Sequence, residues 1–126
     1  MDELPIKIKS EAENPTELDI EIRGHSLKSD EPESFGGNDK GPNPLELMFS
    51  GLASCLNVTT HQVAKEHGVE VESLEIDVSG ELDLAGFEGE DDRAGFEEID
   101  VDVSIETDAD REKALEILEE AEERCP

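Results

Sequence analysis

The stretch Asn43-Pro-Leu-Glu-Leu-Met-Phe-Ser-Gly-Leu-Ala-Ser-Cys55-Leu-Asn57 decides the fold. It opens as a helix opens. Asn43 can cap, Pro44 suits the first turn, and Glu46 stands three residues after the cap, where its carboxylate can reach back. From Leu45 to Val58 only Glu46 and Asn57 are strongly polar, in a chain with 37% charged residues. Such a run is expected to be buried on nearly every side. Gly68 is a natural stop, which gives a helix of about 24 residues and roughly 36 Å. Ser50, Gly51, Ala53 and Ser54 are small enough to let another helix come close. Cys55 sits in the middle of this apolar element.

On either side the apolar period changes from helical to two. Leu4, Ile6 and Ile8 alternate with polar residues, as do Leu18, Ile20 and Ile22, and Glu13-Asn14-Pro15 between them is turn chemistry. This predicts a β-hairpin, with a third short strand around His25 to Ser29. Asp30 to Gly41 reads as a loop, and one this long before a buried helix is either functional or a mere connector. After the helix come Leu74, Ile76 and Val78, then Leu82 and Leu84, with Ser79-Gly80 breaking the phase. Ala85 to Gly95 is an acidic turn region. Ile99, Val101, Val103 and Ile105 then alternate with acids, predicting a strand with one face in the core. Thr107 or Asp108 can cap a second helix, on which Ala114, Ile117, Leu118, Ala121 and Cys125 share one stripe. The order ββ(β)–α–ββ–α, without an internal repeat, describes a single α+β domain over residues 1–126. An antiparallel sheet in it covers one long helix and one shorter helix.

The charge is extreme: 36 Asp and Glu against 10 Lys and Arg, a net −26. Disorder would explain it, but the regular apolar periodicity argues otherwise. Basic partners or metal ions would explain it too, yet the acids are scattered, with no acidic tail and no calcium-loop spacing. Adaptation to a high-salt cytoplasm fits best, since concentrated ions screen the self-repulsion that dilute buffer leaves intact. The same charge argues against nucleic acid as a partner. Met1-Asp-Glu-Leu-Pro lacks the pattern of a signal peptide, and the central helix turns polar too soon to span a bilayer. A cytoplasmic protein with no membrane association is the expectation.

Two cysteines in such a compartment are free thiols or a working redox pair. Cys55 and Cys125 both fall on inward faces of helices expected to pack together. The bland alternative is that each is a small buried hydrophobe. A reactive thiolate needs a cation beside it, and there are four arginines in the chain. Arg23, closing the second strand just before Gly24, is the one best placed to reach a core site. Arg93, Arg111 and Arg124 read as surface residues among acids. Glu46 could anchor an arginine through a bidentate ion pair, though it also fits a capping box. Nine steps of about 100° put it on the opposite side of the helix from Cys55, so any service to the site is indirect or across a subunit boundary. His61 and His67, six apart on one helix, point different ways, and Cys55, Cys125 and a histidine have no zinc-site spacing. No metal or cofactor is expected.

Taken together, several motifs resemble the OsmC/organic hydroperoxide resistance family. They are Asp30-Glu31-Pro32, Gly36-Gly37-Asn38-Asp39-Lys40-Gly41-Pro42-Asn43-Pro44-Leu45-Glu46-Leu47, Leu52-Ala53-Ser54-Cys55-Leu56 and the closing Cys125-Pro126. The order of elements is similar as well. The resemblance implies an OsmC-like, intertwined homodimer with the long helices buried at its centre and two sites at the subunit interface. It also implies a thiol-dependent peroxidase that prefers organic hydroperoxides. Cys55 would be the peroxidatic residue and Cys125 its disulfide partner, restored by a small thiol or dithiol. An arginine in the family's N-terminal strands stabilises the thiolate, and Arg23 is the candidate. Well-characterised peroxidases of the family carry a glutamate directly after the helix-start proline. Here that position is Leu45, with glutamate at Glu46, and relatives usually continue beyond the Cys-Pro. The alternative is a stress-associated or ligand-binding dimer that keeps the fold with little turnover.

Overall fold

A computed structural model of the chain describes residues 3–82, 84 and 96–126. Its elements are β1 (Lys9–Ala12), β2 (Leu18–Ile22), β3 (His25–Ser29), a short 3-10 turn (Glu33–Phe35), α1 (Pro44–Glu66), β4 (Val71–Leu82), β5 (Phe96–Thr107) and α2 (Arg111–Arg124). The fold is α+β with antiparallel strand pairing throughout, ordered β1-β2-β3 in one sheet and β4-β5 in the other. The chain forms two compact units, Met1–Met48 and Phe49–Pro126.

In the first unit, β2 and β3 lie where the alternation places them, but β1 does not. Pairing starts at Lys9 and closes with Ala12 opposite Leu18. Leu4 and Ile6 are each 77% exposed, and Ile8 is exposed as well. Their period is that of a strand, yet no strand among the described residues pairs with them, so the pattern goes unused within one chain. The turn between β1 and β2 is held by Asn14, whose Oδ1 accepts from the backbone N–H groups of Thr16 (3.0 Å) and Glu17 (2.9 Å). Between β2 and β3, Ile22 pairs with His25, which leaves only Arg23-Gly24 to turn the chain. Both have positive φ, 50° and 86°, as a two-residue hairpin turn of the right hand for a twisted sheet requires. Arg23 is therefore in the exposed turn itself and not at the end of a strand.

The loop before α1 is built around one carboxylate. Asp30 is fully buried and accepts from the amides of Glu31 (2.7 Å), Asn38 (3.2 Å) and Lys40 (3.1 Å). Burial pushes its pKa up, but the Thr16 hydroxyl and those three amides outweigh burial and hold it below the ordinary 3.8. The glycines fit the same wrapping. A Cβ on Gly37 would stand 1.9 Å from the Glu31 carbonyl oxygen, and one on Gly41 would stand 2.2 Å from that of Lys28. Only glycine lets the backbone come so close to itself there.

Helix α1 begins with the predicted capping box. The Asn43 N–H donates to Glu46 Oε1 and the Glu46 N–H donates to Asn43 Oδ1, both at 2.8 Å. It ends at Gly68, whose φ of 69° lets the Val69 N–H turn back to the Ala64 carbonyl at 2.9 Å. Its burial differs from the expectation. Leu56, Thr60, Val63 and Ala64 are buried, but Met48 and Val58 are 53% and 67% exposed, and Gly51 has open space where a side chain would be. Among the described residues, packing atoms are supplied to one face of this apolar helix.

In the second unit, β4 runs unbroken through Ser79-Gly80, with Gly80 opposite Ile99. A glycine without a side chain interrupts the apolar pattern without interrupting the pairing, and the register shifts come at Val71/Ser73 and Glu81/Leu82 instead. The expected turn over Ala85 to Gly95, and Arg93 within it, lie outside the described residues. The cap of α2 is Asp110, whose carboxylate accepts from the Lys113 N–H at 2.8 Å. Thr107 and Asp108 are engaged one step earlier: Thr107 Oγ1 accepts from the Ala109 N–H and Asp108 Oδ1 from the Glu70 N–H. The core is small, with Val63 and Ala64 of α1 against Ile117 and Ala121 of α2, and Val69 and Val71 alongside.

Candidate active site

Helical spacing on α1 puts Leu52, Leu56, Thr60 and Val63 along one inward stripe, with Cys55 beside it and half-buried. On α2, Ala114, Ile117 and Ala121 are the buried stripe, and Cys125 follows one turn after Ala121. Cys125 ends the helix. Its N–H still donates to the Ala121 carbonyl at 3.0 Å, but its own φ and ψ (−78°, 118°) are extended. Pro126 forces that change, because the residue before a proline is driven out of the helical region. The turn leaves the Cys125 side chain beside Cys55, near enough for Cys55 to raise its pKa.

The two are free thiols. The hydrogen bond with Cys55, then burial, then the charge Cys55 can carry all raise the Cys125 pKa above its ordinary 9.0. A negative charge close by disfavours a second one on Cys125. Thr59 was not anticipated from sequence. Its hydroxyl lies 3.9 Å from the Cys55 sulfur, but its hydrogen goes to the Cys55 carbonyl at 2.8 Å. It packs against the thiol without donating to it.

Against Cys125 lies a cavity of about 360 Å³. Leu52 and Leu56 of α1, Ile76 and Val103 of the sheet, and Leu118 of α2 make it largely apolar. A second cluster ties the ends of the helices together. Arg124 donates to both carboxylate oxygens of Glu66, at 3.0 and 3.1 Å, and to Glu120 at 3.2 Å. His67 Nε2 lies 3.3 Å from Glu120. The Arg124 hydrogen bonds hold the Glu66 pKa below 4.5, and Glu66 in turn raises that of Arg124. Sequence reading places Arg124 on the surface among acids, where it lies, but does not give its link to Glu66. The available signal was its position next to Cys125, with Glu120 one turn before it.

The structure thus brings Cys55 and Cys125 together. Glu46 lies in the first unit, where its carboxylate caps α1, and Arg23 lies there too, in the β2–β3 turn, with no ion pair among the described residues. His61 hydrogen-bonds through Nδ1 to the Asn57 carbonyl at 2.8 Å, apart from the His67 cluster. Among the described residues no group of three or more His, Cys, Asp or Glu is placed to hold a metal ion, and no helix is long and apolar enough to cross a membrane.

With this geometry in view, comparison with known proteins is direct. The family model described as OsmC-like protein matches residues 37–126, from the glycine-rich loop through both cysteines. The chain belongs to the OsmC family. Among curated relatives, this OsmC-family protein is 37% identical over 87 residues to the organic hydroperoxide resistance protein OhrB of Bacillus subtilis, an alignment covering 68% of this chain. The match spans 59% of that relative's length. The crystal structure of OhrB superposes with a TM-score of 0.64 at 28% identity, over 98% of this chain and 87% of that one. An OsmC-like protein from Mycoplasma pneumoniae gives a TM-score of 0.84 at 22% identity, over 100% of this chain and 85% of that one. The last likeness speaks to the fold alone.

Proposed function

We propose that this OsmC-family protein is a thiol-dependent peroxidase that reduces organic hydroperoxides through Cys55 and Cys125, in defence against oxidative stress. The observation that supports the reading is the nearness of the two thiols at the facing helices, close enough for Cys55 to raise the Cys125 pKa. In the first step the Cys55 thiolate attacks the outer oxygen of the hydroperoxide. The O–O bond breaks, the alkoxide takes a proton and leaves as an alcohol, and Cys55 becomes a sulfenic acid. That step removes the negative charge that kept Cys125 protonated. Cys125 can then lose its proton and attack the sulfenic sulfur, releasing water and forming the disulfide. The order of the two steps is thereby built into the pair. A thiol or dithiol returns two electrons by exchange.

The apolar cavity beside Cys125 supports an organic over an inorganic peroxide. Arg23 is assigned the thiolate-stabilising charge. In support, a long cationic side chain occupies a positive-φ position that ordinarily favours Gly, Asn or Asp. Glu46 acts as a positioning residue, fixing the start of the helix that carries Cys55. The protein acts as one domain per chain and as a homodimer in the cytoplasm. The unpaired Leu4, Ile6 and Ile8 and the exposed side of α1 support the dimer.

One observation favours the rival reading of a binding protein with little turnover. The Thr59 hydroxyl, 3.9 Å from the Cys55 sulfur, spends its hydrogen on the backbone. Intact mass after cumene hydroperoxide treatment in concentrated salt separates the two. Loss of two hydrogens within one chain, abolished in Cys55→Ser, is expected of the peroxidase, and an unchanged mass would overturn it.

A further inference from the structure

The cavity against Cys125 carries a charge pattern that peroxide reduction itself does not require. Apart from Thr60 and the thiol, its lining is apolar except for Glu119 and Glu122 of α2. These two acids are three residues apart, so they share a face of the helix, and Cys125 follows three residues later on the same side. Both are exposed, which puts their carboxylates on the solvent side of a cavity walled by leucine and valine. Neither holds an ion pair among the described residues, in contrast to Glu66 and Glu120 just behind them, which share Arg124. No Lys, Arg or His among the described residues lines the cavity. A ligand entering it therefore meets two uncompensated negative charges beside a low-dielectric wall, where repulsion is felt more strongly than in open water.

We infer that Glu119 and Glu122 select against anionic hydroperoxides, so that the site takes neutral alkyl and aryl hydroperoxides and esters and rejects those bearing a free carboxylate. This inference rests on the peroxidase reading and names the substrate class for the same site. The apolar walls favour a hydrocarbon substituent of any kind, and the two acids then decide whether a charged group may ride on it. The discrimination is electrostatic, so it weakens as salt rises, though less than between groups in open solvent because one side of the cavity excludes ions.

The test uses three probes of one size: cumene hydroperoxide, its para-carboxylate and the methyl ester of that carboxylate. With a carboxylate about 7 Å from each acid, the wild type should favour the ester over the acid by on the order of fivefold in kcat/KM at the lowest salt that preserves its native far-UV spectrum. The ester-to-acid ratio should fall toward one in the double variant Glu119→Gln, Glu122→Gln, and should invert in Glu119→Lys, Glu122→Lys. A wild-type ratio below twofold, or a ratio unmoved by the lysine variant, would overturn the inference and leave the peroxidase reading intact. Failure of the wild type to consume any of the three would overturn the peroxidase reading, and this inference with it.

Discussion

Oxidising Cys55 and Cys125 to a disulfide should stabilise the chain by about 4 kcal/mol. About 70 residues separate them, and closing a loop of that length removes chain entropy from the unfolded state worth about 4.4 kcal/mol at 25 °C. Strain in the native state would subtract from this. Here little is expected, because the two thiols are neighbours and Cys125 lies at a helix end, where the closing movement to a bond of about 2.05 Å is easily absorbed. For a chain of this size 1 kcal/mol corresponds to about 4 °C, so the Tm should rise by about 15 °C. The assay is far-UV circular dichroism in concentrated potassium chloride on protein treated with one equivalent of cumene hydroperoxide, melted with and without dithiothreitol. Cys125→Ser should show no rise. A disulfide proven by mass but with no gain in Tm would refute the argument that the folded geometry is ready for the bond, and an equal rise in Cys125→Ser would refute the assignment of the partner.

Two further outcomes follow from the ion pairs and the buried carboxylate. Arg124→Ala should slow disulfide closure several-fold, seen as a longer-lived sulfenic acid trapped by dimedone, with the Tm of the reduced protein nearly unchanged because half-exposed ion pairs contribute little to global stability. Asp30→Asn should destabilise the protein at neutral pH and flatten its acid-denaturation limb. A carboxyl with a depressed pKa gives stability that is fully present above the ordinary 3.8 and is lost as pH falls through the lower folded value. An acid limb with the wild-type slope in this variant would count against Asp30 as the loop's anchor.

Much of this molecule is legible in its sequence where local chemistry decides local structure. The Asn43–Glu46 capping box, the Gly68 stop and strands β2 and β3 each depend on neighbours a few residues away, and each lies where the pattern puts it. The approach of Cys125 to Cys55 was legible for another reason: the stripe on α2 and the apolar run of α1 both needed a partner face, and the family resemblance named the pair. What failed depends on choices between near-equal neighbours or on packing that the described residues do not complete. Thr107, Asp108 and Asp110 can all cap, and the winner was set by where β5 and Glu70 engage the first two. Leu4, Ile6 and Ile8 carry a strand's period that nothing among the described residues completes. Arg23 ends an alternating run, but the sheet's twist required two positive-φ residues there, so it became the turn. Arg124 lies on the surface among acids as its surroundings in sequence suggest, but composition does not say which helix its side chain crosses to reach.

The loop gathered on Asp30 has a consequence for how its length can vary over evolution. Its two shoulders are locked, the first by the Glu31 amide on Asp30 and the second by the Asn38 and Lys40 amides on the same acid and by Gly37 and Gly41 pressed against backbone carbonyls, whereas Ser34 and Phe35 between them are open to solvent. Insertions at that crest cost one exposed 3-10 turn, held by the Phe35 N–H on the Pro32 carbonyl at 2.9 Å, and a little closure entropy, while a single residue added at Asn38 or Lys40 would unhook an amide from the buried acid. Kindred sequences should therefore vary in length at the crest and keep constant spacing along both flanks.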